Sequence, residues 1–158
     1  DLDASELTDP IERIWEAIGT SLDAYCQHVP QAIIAAVITD LHLNAAVAPR
    51  WTGRRFLLDA IEHAASTGAL RDDLAPARLL DQAGPAHAHR LHQWAVGLID
   101  DTALKAGVLC AYDVSLLAVA RPKARARLLA HIEALEPHLC PLIIADGTIG
   151  STSASASP

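Results

Sequence analysis

The chain has 158 residues, enough for one domain to bury a core without disulfides or a structural metal, and a formal net charge of −7. Hydrophobic residues make up 51% but aromatics only 4%, so Ala, Leu, Ile and Val must build the core, a mixture that favours helices. The acidic balance argues against a domain that grips nucleic-acid phosphates by itself.

The elements read in chain order as helices. Residues 1–9 form an acidic lead-in. Asp9-Pro10-Ile11-Glu12 is a helix start, with Asp9 as cap, Pro10 in the first turn and Glu12 able to reach back. Ile11, Ile14, Trp15, Ile18, Leu22, Tyr25 and Val29 then recur at three- and four-residue spacing, an amphipathic helix. Pro30 opens a second helix to about Val47. Its Ile33, Ile34, Val37, Ile38 and Leu41 predict burial on several sides. A third, from near Trp51, carries Phe56, Leu57, Leu58 and Ile61 and ends at Gly68, which supplies a left-handed turn.

Pro76 starts a fourth helix reaching about Gly97, with a kink expected at Pro85. Asp100-Asp101 cap a fifth, 102–120, whose Gly107, Ala111, Val114 and Ala118 make a stripe that allows close helix approach. A sixth runs from Lys123 to Glu136. Residues 138–149 read as an apolar extension and 150–158 as a Ser/Ala-rich tail. The fold class is therefore all-α, a bundle of roughly six helices spanning 10–137.

Cys26, Cys110 and Cys140 lie far apart with no CxxC pair, which suits reduced thiols in a cytoplasmic protein. The longest apolar run, 32–38, is too short to span a bilayer. The opening residue is Asp1 instead of Met, which points to an upstream segment that has been removed.

The stretch Gly68-Ala69-Leu70-Arg71-Asp72-Asp73 ahead of a long helix, then Gly97-Leu98-Ile99-Asp100-Asp101 and another long helix, resembles the C-terminal regulatory domain of TetR-family transcription regulators. Gly84-Pro85 followed by Arg90-Leu91 is similar to a pattern in one subgroup, and Tyr25 with His28-Val29-Pro30 to an upstream one. Two departures are visible. The family's helix-turn-helix head is missing from this sequence, and Ala75 stands where a capping Asp usually precedes Pro76. The resemblance implies a homodimer, a small and largely apolar effector, and contact with DNA only through the absent head.

Candidate chemistry is sparse. His87, His89 and His92 near Asp81 invite a metal reading, yet no HExxH or paired-cysteine pattern accompanies them, and they read as surface, interface or pocket histidines. No phosphate loop or GxSxG elbow is present, so no enzyme, catalytic residue or cofactor is expected. The expected effector site is lined by Trp15, Ile18, Leu22, Tyr25, Phe56, His87, His89 and Trp94, with the four aromatics on buried stripes. The expected dimer interface comprises Leu80, Leu91 and Leu98 with Gly107, Ala111, Val114 and Ala118. A free-standing helical binding or scaffold protein is the alternative, and a His-based metalloprotein a more distant one.

Overall fold

A computed structural model describes residues 9–43 and 53–139, the side chains of 39–43 and 53 aside. It contains six helices among those residues: α1 (Pro10–His28), α2 (Gln31–Leu43), α3 (Gly53–Ser66), α4 (Pro76–Ala95), α5 (Asp101–Leu117) and α6 (Pro122–Leu135). A 3-10 turn, Glu136–His138, follows α6. The all-α expectation holds, and no described helix is long and apolar enough to cross a membrane.

Local chemistry explains most of the ends. The Asp9 carboxylate accepts from Ile11 N–H at 2.8 Å and from Glu12 N–H at 3.4 Å, satisfying donors that the first turn leaves open. Asp100 caps α5 in the same way, accepting from Ala103 N–H at 2.8 Å. Gly68 and Gly97 take φ of +76° and +75° after α3 and α4. Around Gly97, Leu98 N–H reaches the Gln93 carbonyl at 2.8 Å and Gly97 N–H reaches Trp94 at 3.0 Å, the paired closure of a left-handed helix end. Ala75, as its side chain requires, makes no cap bond ahead of α4.

Helices α1, α4 and α6 pack on α5, each running antiparallel to it. Three cross-links on α4–α5 descend in register: Trp94 with Asp101, Arg90 over Gly107, and His87 with Tyr112. On α6 the order also reverses, with Arg125 donating to the Leu117 carbonyl and His131 meeting Asp113. A two-residue bridge, Leu70 with Ala120, joins the chain after α3 to the end of α5. The core runs through Ile14, Ile18 and Leu22 of α1, Leu57 and Ile61 of α3, Leu79 and Leu80 of α4, Leu104, Val108 and Leu116 of α5, and Leu128 of α6.

Three expectations need correction. Within α2, Ile33 and Val37 are 54% and 50% exposed, because α4 covers one side of that helix while Ile34 and Ile38 turn inward. Phe56 is 68% exposed; its neighbour Leu57 takes the inward position on α3, one step of 100° away. Leu80, expected at a dimer surface, is only 2% exposed and belongs to the monomer's own core. Pro85 sits inside α4, which continues on both sides of it, its ring turned to solvent. The second helix's expected end near Val47, the tail and Cys140 lie outside the described residues.

Candidate functional site

Among the described residues, two buried polar groups cross the bundle, both built on α5. The first joins His87 of α4 to Tyr112: Nδ1 and Oη lie 3.2 Å apart and the rings meet edge to face at 5.9 Å. Both side chains are in the core, at 5% and 2% exposure. Burial disfavours the charged form of each, so the imidazole is pushed down to about 4 and the phenol up to about 12. At neutral pH this is a neutral donor–acceptor pair inside an apolar core.

The second group centres on Asp113, which has no exposed surface. Trp15 of α1 donates its indole N–H to Oδ1 at 2.7 Å, and His131 Nδ1 of α6 lies 2.6 Å from Oδ2. Burial raises the carboxyl's proton affinity, and the bonds from Trp15 and His131 oppose that rise. The Trp15 and His131 rings stack with centroids 3.9 Å apart and planes tilted by 33°. The Arg127 guanidinium sits 5.9 Å from the Trp15 ring and pairs with Asp9 and Glu12, at the first turn of α1. Glu12, read as a capping residue, thus serves the α1–α6 contact.

The expected effector-site residues divide between core and surface. Ile18, Leu22, His87 and Trp94 are buried, while Trp15 and Tyr25 are half-buried against the same core. Phe56 and His89 face outward. The indole N–H groups expected to orient an effector are already engaged, Trp15 with Asp113 and Trp94 with Asp101 at 2.6 Å. Gln31 Nε2 donates to the Trp94 carbonyl at 3.3 Å, tying the start of α2 to the end of α4. His87 and His89 diverge, as two positions on a helix must, and no group of three or more His, Cys, Asp or Glu gathers to hold a metal among the described residues.

Of the expected interface residues, Leu98 and Val114 are 51% and 56% exposed and Ala118 is also exposed. Ala111 and Leu91 are half-buried. Gly107 is covered by Arg90, whose Nε would stand 2.6 Å from a Cβ at that position. The outward part of the stripe is therefore Ala111, Val114 and Ala118, one face of α5.

Sequence reading overlooked Tyr112, Asp113, Arg127 and His131. A signal for Asp113 was present: it is the only charged residue from 106 to 120, on a helix otherwise apolar enough to be central. A lone carboxylate there demands buried partners. No family model, no curated protein and no solved structure matches this chain.

Proposed function

We propose that the chain is the effector-binding and dimerisation domain of a TetR-like transcriptional regulator, sensing a small, largely apolar molecule. The observation that carries this reading is the antiparallel α4–α5 pair. Its connection ends in the Asp100 cap, and its outer side presents exposed Leu98 and Val114 beside small Ala111 and Ala118. Exposed apolar side chains beside small residues suit close contact with the same surface of a second copy. In this reading the effector's apolar part meets the Ile18, Leu22 and Trp94 region. Its one polar function meets His87 and Tyr112, the neutral pair in the core between α4 and α5. DNA contact belongs to a helix-turn-helix head outside this sequence.

Light scattering at micromolar concentration tests the dimer: wild type is expected at twice the chain mass and Ala111→Arg at the chain mass. A wild-type monomer defeats the dimerisation role and leaves a free-standing helical binding protein. A thermal-shift screen of hydrophobic acids, phenols and steroid-like compounds tests the effector. Occupancy at a hundred times the dissociation constant stabilises by about 2.7 kcal/mol. Stabilisation that persists unchanged in Tyr112→Phe and His87→Gln would place the ligand elsewhere.

A further inference from the structure

Helix α6 is held to the bundle in an unusual way. Only Ala124 and Leu128 are buried along its fourteen residues. Its N-cap, Arg121, makes no side-chain cap bond, and its first turn carries no acidic residue. Instead Lys123 and Arg125 lie near its N-terminus, while Glu133 and Glu136 lie near its C-terminus. That order opposes the helix dipole, whose positive end favours carboxylates and whose negative end favours cations. The contrast with α5 is direct, since α5 has Asp100 as cap and Asp101 in its first turn.

What attaches α6 to α1 is polar and comes from one face, residues 127 and 131, a single turn apart. Arg127 pairs with Asp9 and Glu12, and His131 stacks on Trp15 while bonding the Asp113 to which Trp15 also donates. Asp9 has two tasks here. Its Oδ1 caps α1 and its Oδ2 meets Arg127, so the first turn of α1 and the seat of α6 share one carboxylate.

We propose that α6 is a clasp that opens as its own unit, ahead of the α5 helix it packs on, and that its opening releases the first turn of α1. A helix with two buried side chains and an opposed dipole has little local free energy to resist opening. The loss of Arg127 and His131 then removes partners from Asp9, Glu12, Trp15 and Asp113 together. The device stands on these contacts alone and does not depend on the regulator reading.

Hydrogen exchange followed by mass spectrometry on the whole chain tests it. Amides of 124–135 are expected to exchange at least about tenfold faster than those of 104–116, with 12–16 exchanging at the α6 rate. Arg127→Gln should accelerate both α6 and 12–16 and leave α5 unchanged. Lys123→Glu removes an opposed charge without touching the clasp and should slow α6 about two- to fivefold. Uniform exchange across α5 and α6 overturns the proposal. So does an Arg127→Gln protein in which α6 accelerates and 12–16 does not. Should Arg127→Gln fail to fold by circular dichroism, the wild-type rates and Lys123→Glu decide the matter.

Discussion

Tyr112 and Asp113 are consecutive on α5 yet tie it to different helices: Tyr112 meets His87 of α4, and Asp113 meets Trp15 of α1 and His131 of α6. A helix turns 100° per residue, so two adjacent polar side chains on a central helix reach two different seams. Each is satisfied by partners from the helix it faces, as buried polar groups must be.

Asp113→Ala leaves the Trp15 indole and the His131 ring without their shared acceptor. Leaving buried donors without their acceptor costs about 1–3 kcal/mol. Asp113→Asn keeps an oxygen for Trp15 and should cost less, about 1 kcal/mol. Urea unfolding measures both. An alanine variant within about 1 kcal/mol of wild type would mean that the network contributes little.

His87 makes stability depend on pH. Its folded-state value of about 4 lies below the ordinary 6.5, so between those values the unfolded chain binds the extra proton. Its contribution is therefore complete above pH 6.5 and is lost as pH falls toward 4, a total of about 3 kcal/mol. Comparing unfolding free energies from pH 7.5 to 4.5 should give a slope that His87→Gln flattens by about one proton. An unchanged slope in that variant would reject this origin.

Two glycines separate backbone strain from crowding. At Gly97 a Cβ meets nothing within 4 Å, but φ is +75°, so Gly97→Ala should cost about 1 kcal/mol. At Gly107 the backbone is helical and the obstacle is the movable end of Arg90. Gly107→Ala should shift stability by less than about 1 kcal/mol, since alanine's helix preference offsets the displaced side chain. Thermal unfolding of the two variants checks the order, and a larger loss at Gly107 would contradict it.

Phe56 and Leu57 offer a test of which neighbour faces the core. Leu57→Ala, at 1% exposure, should cost about 2–5 kcal/mol, whereas Phe56→Ser should stay within about 0.5 kcal/mol. Equal losses would place the Phe56 ring inside.

How much of this was readable beforehand differs by level. Asp9-Pro10, Gly68, Asp100 and Pro122 mark ends that follow from local chemistry, because a cap, a ring or a positive φ acts within a few residues. The inward stripe Ile11, Ile14, Ile18 and Leu22 was legible for the same reason, since 3.6-residue periodicity is a property of one segment. Which apolar residue of a stripe faces which neighbour was not. Phe56 and Leu57, or Leu80 and Leu98, have the same hydrophobicity signal, and only the packing of α3, α4 and α5 sorts them. The polar groups depend on tertiary structure still more strongly. Trp15, Asp113 and His131 are separated by 98 and 18 residues, and their contact exists because α1 and α6 both run antiparallel to α5. Sequence can announce that Asp113 needs a partner; the choice of Trp15 and His131 rests with helix register, which long-range packing sets.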